Sequence, residues 1–167
     1  MNPRFIADSM LGKIARKLRI FGYNTEYFLN VADNCILKRA ISENRIILTR
    51  DKGLYYRLVK KNLLGVLISS DNEPDSLVTI LRKCGIHHVD IVPNLNTRCT
   101  KCNGDLISAD KSLEIRKIPE KVYSNIQLIY KCNTCPKIYW NGTHIDSINL
   151  LITDINKRLQ KKVETIY

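Results

Sequence analysis

Three short apolar runs each break off into an acid: RFIAD (4–8), RIILTRD (45–51) and GVLISSD (65–71). Runs this short and apolar on both faces suit a parallel sheet covered by helices. Helical periods separate them. Leu11, Ile14, Ala15, Leu18 and Phe21 recur at three- and four-residue steps, with Lys13, Arg16, Lys17 and Arg19 on the remaining surface and Gly22 as the stop. NTEYFL (24–29) reads as a further strand, DNCILKRAISEN (33–44) as a helix burying Ile36, Leu37, Ala40 and Ile41, and KGLYYRLVKKN (52–62) as the next helix. DNEPDSLVTILRKCG (71–85) completes the pattern, with Pro74 in the first turn, Leu77, Ile80, Leu81 and Cys84 facing inward and Gly85 ending the helix. Strands alternating with helices predict an α/β domain with a central parallel sheet over residues 1–92.

The text changes after IVPNLNT (91–97), a connector in which Pro and Asn interrupt both periods. Residues 93–167 are expected to form a second, smaller module. CTKC (99–102) and CNTC (132–135) have the knuckle spacing that places four thiolates tetrahedrally around zinc. QLIYKC and KIYW flank the second pair as hairpin arms. Residues 103–131 make the gap longer than that of a usual zinc ribbon, with KSLEIRKIPEKVY filling the excess. Neither pair opens a helix of a strand–helix–strand unit, as a thioredoxin-type redox pair would. Four protein ligands leave no open position, so Cys99, Cys102, Cys132 and Cys135 predict a structural zinc site. Cys35 and Cys84 fall on apolar helix faces and read as buried fillers. HIDSINLLITDINKRLQKK (144–162) predicts a terminal helix with a basic end.

In a parallel sheet the strand ends share one edge, and ligands of open α/β sheets bind outside it. Asp8, Asp51 and Asp71 should converge there, with Asp33 approaching from the start of its helix. Each acid also has an ordinary use as a helix N-cap. Gathered carboxylates repel, however, and an all-oxygen cluster suits magnesium or manganese. Hydrolysis of a phosphodiester fits such a centre, because carboxylate-bound ions activate water and stabilise the leaving oxygen. The chain has no phosphate-binding G-x-x-x-x-G-K-[ST] loop, no G-x-G-x-x-G fingerprint and no G-x-S-x-G elbow.

FIADSMLGKIARKLRIFGYNTEY, DNCILKRAISENRIILTRDKGL and YWNGTH together resemble the PIN-like ribonuclease family named for the Mut-seven C-terminal RNase domain, over roughly residues 4–145. The resemblance implies a PIN-like α/β fold and a metal-dependent ribonuclease. An early Asp, an Asp opening the next helix and the Asp of the TRD run match Asp8, Asp33 and Asp51. The fourth acidic position of such folds best matches Asp71, with Glu73 and Asp75 as competitors. Glu43 is a weaker rival of Asp33. The family carries the same insertion between the cysteine pairs.

Lys and Arg number 27 against 16 acids, a formal charge of +11 spread along all 167 residues. That surface suits a polyanion. Lys13, Arg16, Lys17 and Arg50 adjoin the acids and would contact the RNA backbone, while Tyr139, Trp140 and His144 offer rings for unpaired bases. No secretory h-region opens the chain and no run reaches the length of a membrane span, so a cytoplasmic location is expected. The expected activity is a magnesium- or manganese-dependent endoribonuclease. Two other readings stay open: a non-catalytic zinc-ribbon protein bound to RNA or the ribosome, and the toxin of a toxin–antitoxin pair.

Overall fold

Strand–helix alternation builds a four-stranded parallel sheet with helices on both faces. The computed structural model describes residues 2–91, 97–142 and 144–161, with His144 described by its backbone alone. The order along the chain is β1 (Phe5–Ala7), a 3-10 turn (Ser9–Leu11), α1 (Gly12–Ile20), β2 (Thr25–Tyr27), α2 (Asp33–Glu43) and β3 (Ile46–Thr49). Then follow α3 (Lys52–Lys60), β4 (Gly65–Leu67) and α4 (Glu73–Lys83). The strands lie in the order β2-β1-β3-β4, every pair parallel, with Phe5 opposite Ile46 and Leu48 opposite Val66.

Alternation along each strand divides the core into two layers. Phe5, Ala7, Leu48 and Val66 join Leu11, Ile14, Ala15, Leu18, Leu77, Ile80 and Leu81 beneath α1 and α4. Ile6 and Ile47 point the other way, to Ile36, Leu37, Ala40, Leu54 and Leu58 of α2 and α3. Short strands suffice because both faces are dry: Phe5, Ile6, Leu18, Ile47, Leu48, Leu58 and Leu77 are fully buried.

Beyond residue 97 a three-stranded antiparallel sheet forms from β5 (Leu106–Ala109), β6 (Ile129–Cys132) and β7 (Ile138–Trp140). The KSLEIRKIPEKVY insertion folds as a 3-10 turn (Lys111–Lys117) and α5 (Glu120–Tyr123) over a small core of Ile118, Ile126 and Ile129. The final helix, α6 (His144–Gln160), returns to the α/β body. Its Ile155 and Leu159 are buried in the same layer as Leu77, Ile80 and Leu81, and the Asn156 amide exchanges two 2.9 Å hydrogen bonds with the backbone of Val89. Arg158 pairs with Asp75 at 2.6 Å.

Four residues depart from the sequence reading. Cys35 is exposed and Ile41 is 60% exposed, because the buried stripe of α2 runs through Ile36, Leu37 and Ala40 and leaves its flanks outside. Cys84 is only half-buried, at the C-cap of α4, where burial raises its thiol pKa. Arg19, expected on the solvent side of α1, is buried. Its Nε donates to the Thr25 carbonyl at 2.8 Å, and its Nη1 to the carbonyls of Thr100 at 2.9 Å and Lys101 at 3.2 Å. Periodicity places a side chain on a face but does not show that a later module will cover that face. Most of the 91–97 connector lies outside the described residues. Among the described residues no helix is long and apolar enough to cross a membrane.

Candidate functional site

β1 has β2 on one side and β3 on the other, so the crossovers leave it in opposite directions. The crevice beyond the carboxyl ends of β1 and β3 is therefore the switch point of the sheet. Asp8 follows β1 and Asp51 follows β3 by two residues.

Asp8 is only 7% exposed and is tied by three donors. Its Oδ1 accepts from the Met10 N–H at 3.0 Å, capping the 3-10 turn. Its Oδ2 accepts from the Thr49 hydroxyl at 2.5 Å and the Arg50 N–H at 3.0 Å. The Thr49 Oγ1 in turn accepts from the Asp51 N–H at 2.9 Å. Asp51 caps α3 by accepting from the Leu54 N–H at 3.0 Å through Oδ1. The TRD run thus divides its labour. Thr49, fully buried, links the two acids, and Arg50 points away from them. Sequence reasoning missed Thr49. The signal was available, because residues 49 and 51 share one side of an extended chain.

A cleft of about 130 Å³ is lined by Asp8, Asp33 and Asp51, together with Ser9, Met10, Phe28 and Asn30. The structure therefore gathers three of the four expected acids. They are not bare carboxylates. Asp33, the first residue of α2, pairs with Arg57 Nη1 at 2.8 Å, and Arg57 Nη2 also donates to the side-chain Oδ1 of Asn34 at 2.7 Å. Hydrogen bonds from N–H and O–H groups offset the charge of Asp8, and the α3 N-terminus that of Asp51. Repulsion among the three carboxylates is therefore relieved in part by the protein itself. The donor set still fits a hard ion: all oxygen, with one of Asp8's roughly four lone-pair positions left over and one Asp51 oxygen not used by its cap.

Asp71 stands elsewhere. It lines a neighbouring cleft of about 410 Å³ with Ser9, Met10, Lys13, Arg16, Tyr27, Arg50 and Glu73, and it pairs with Arg50. Lys17 is outside that lining and pairs with Glu73 at 3.6 Å. Asp75 is held by Arg158 on the α6 side. Glu43 ends α2 ahead of β3, at the opposite sheet edge. There the hydrogen bond from Arg45 and the neighbouring guanidinium groups hold its carboxyl below the usual range. Gly12 permits a close approach: a Cβ there would lie 2.9 Å from the ring and hydroxyl of Tyr27, which donates to the Ser9 carbonyl at 2.9 Å.

The four cysteines meet as expected. Their sulfurs all lie within 4.8 Å of one another, with Cys99–Cys135 at 3.6 Å and Cys102–Cys132 at 3.3 Å, and none forms a disulfide. Among the described residues this is the one cluster of Cys, His, Asp or Glu gathered tightly enough to ligate an ion as it stands. Four sulfurs about 2.3 Å from a tetrahedral zinc would be separated by similar distances. Burial alone would raise Cys99. The Tyr139 hydroxyl, 3.0 Å away, and backbone hydrogen bonds pull it down to about 6. Burial and the hydrogen bonds shared with the other thiols push Cys102 up to about 12.

Tyr139 also accepts from the Thr100 N–H at 2.9 Å, so its hydroxyl supports the knuckle. Trp140 is half-buried against the small core of the ribbon, beside a groove that includes Ile20, Ile145 and Ile148. The side chain of His144 lies outside the described residues. Asn103 joins the knuckle to the sheet, accepting from the Thr25 N–H and donating to Asn24, each at 2.9 Å.

Residues 3–152 match the family described as the Mut7-C RNAse domain. No curated protein and no solved structure is significantly similar to the chain.

Proposed function

The chain belongs to the Mut7-C RNase domain family, and from that premise we propose that it is a metal-dependent endoribonuclease working at the β1–β3 switch point. The observation that carries the reading is the cleft shared by Asp8, Asp33 and Asp51 beyond adjacent parallel strands. These three carboxylates would hold magnesium or manganese. The bound ion supplies an activated water and charge stabilisation at the scissile phosphate. The chain's own residues do the rest. Thr49 and the Arg50 N–H fix the Asp8 carboxylate, and the α3 cap orients Asp51. Arg57 holds the Asp33 carboxylate in place at 2.8 Å and can release it to a cation of higher charge. Lys13, Arg16 and Arg50, beside the acids, draw the RNA backbone toward the cleft. Zinc held by Cys99, Cys102, Cys132 and Cys135 would be structural.

The test is cleavage of total RNA by purified protein in magnesium or manganese. Asp8→Asn and Asp51→Asn are expected to abolish cleavage while RNA binding survives; undiminished cleavage in either variant would defeat the assignment. The internal compensation of every acid supports a second reading, an RNA-binding protein without cleavage. Tight RNA binding with no metal-stimulated product would establish that reading.

A further inference from the structure

Resting on the ribonuclease reading, we propose that the cleft beside the acids is a subsite for an RNA phosphate and that Asp71 is its built-in placeholder, a carboxylate occupying Arg50 until a phosphate displaces it. The two partners are unequally held. The Arg50 side chain is 24% exposed and the Asp71 side chain 94%. Arg50 Nη2 is anchored to the Ser70 carbonyl at 2.9 Å, and its Nε is buried without a hydrogen-bond partner among the described residues. The guanidinium is a fixed fork, which suits phosphate. Asp71 reaches it from open solvent and can swing away without uncovering a core.

The lining agrees. Lys13 and Arg16 face the same 410 Å³ cleft and form no ion pair among the described residues, while Glu73 is already matched by Lys17. With Asp71 displaced, three cations surround one space of nucleotide size. The site is also wired to the acidic cleft. Ser9 and Met10 line both, and the backbone N–H of Arg50 donates to Asp8. A strand seated on Arg50 would place its next phosphodiester toward Asp8 and Asp51. Asp71 is then a residue that sets RNA affinity, not a fourth metal ligand.

The experiment is a double-mutant cycle on full-length protein. Binding of a fluorescein-labelled single-stranded oligoribonucleotide is followed by anisotropy without added magnesium or manganese, across a salt series. Asp71→Asn is expected to tighten binding several-fold. Arg50→Gln is expected to weaken binding and flatten the salt slope by about 0.7, the value for one lost phosphate contact on a single strand. In the Arg50→Gln background Asp71→Asn should give no gain, which separates displacement from a general change of charge. Arg50→Lys keeps the charge and controls for folding. Equal gains from Asp71→Asn in both backgrounds would overturn the proposal. So would loss of cleavage at unchanged RNA affinity, which would return Asp71 to the metal. Wild-type protein that cleaves RNA but shows no effect of these changes defeats the subsite alone; wild-type protein that neither binds nor cleaves RNA defeats the ribonuclease reading with it.

Discussion

Replacing Thr49 by Val removes one hydroxyl and almost nothing else, since the two side chains have nearly the same shape. Thr49 is fully buried and its Oγ1 makes two bonds, donating to Asp8 Oδ2 at 2.5 Å and accepting from the Asp51 N–H at 2.9 Å. A hydrogen bond to a charged group contributes about 1.5–3 kcal/mol, and leaving a part-buried N–H without an acceptor costs about 1 kcal/mol more. The expected loss is about 3 kcal/mol, which at roughly 2–4 °C per kcal/mol for a chain of this size lowers the melting temperature by roughly 6–12 °C. Asp8 keeps its bonds from Met10 and Arg50 but loses one of the two that fix its Oδ2 from the β3 side. Removing a group that orients a metal-holding carboxylate typically costs 10-fold to 100-fold in activity, so RNA cleavage should fall by about that factor. Thr49→Ser keeps the hydroxyl and forfeits only about 0.8 kcal/mol of methyl burial, so it should restore cleavage. Thermal unfolding and single-turnover cleavage on the three proteins check both numbers. A Thr49→Val protein that melts and cleaves like the wild type would refute the claim that Thr49 couples the two acids.

Three further outcomes follow from the knuckle. A Cβ on Gly104 would stand 2.5 Å from Thr134 Oγ1 and 2.8 Å from Cys132 Sγ, so Gly104→Ala is expected to purify with less than one equivalent of zinc by elemental analysis. Tyr139→Phe removes the hydroxyl that bonds to Cys99, and should lower zinc affinity about 10-fold to 100-fold in a chelator competition. Arg19→Met strips donors from the carbonyls of Thr25, Thr100 and Lys101, and should cost about 3 kcal/mol or more in a denaturant titration. The same change should expose the ribbon to protease.

The sheet and its acids were legible because their signals are local. Phe5–Ala7 and Ile46–Thr49 are apolar on both faces, and an Asp two residues past Thr49 has to leave the sheet at its carboxyl end. The two cysteine pairs were legible from their C-x-x-C spacing, which suits a tetrahedral metal site, whereas the long gap between them (103–131) did not show how they meet. Pairing between elements far apart in the chain was not. Arg19 reads as one more exposed cation of α1 until the knuckle closes over it. Asp71 resembles Asp8 and Asp51 in the text, yet it follows β4, the strand beyond β3 and away from the switch point, and its nearest cation is Arg50. Tyr139 reads as a ring for unpaired bases, and nothing in its own stretch of sequence shows that its hydroxyl bonds to Cys99 and Thr100. The last helix reads as part of the second module by position in the chain, while its apolar stripe answers that of α4. In each case composition and period fix the element, and the partner is set by which surface arrives later.

The central claim is that Asp8, Asp33 and Asp51 form one cation site at the switch point. Crystals grown with manganese and measured at its absorption edge test it directly. The account predicts an anomalous peak bonded to oxygens of Asp8 and Asp51, missing in the Asp8→Asn protein. Well-ordered carboxylates with no peak between them, or manganese bound only at Asp71, would contradict it.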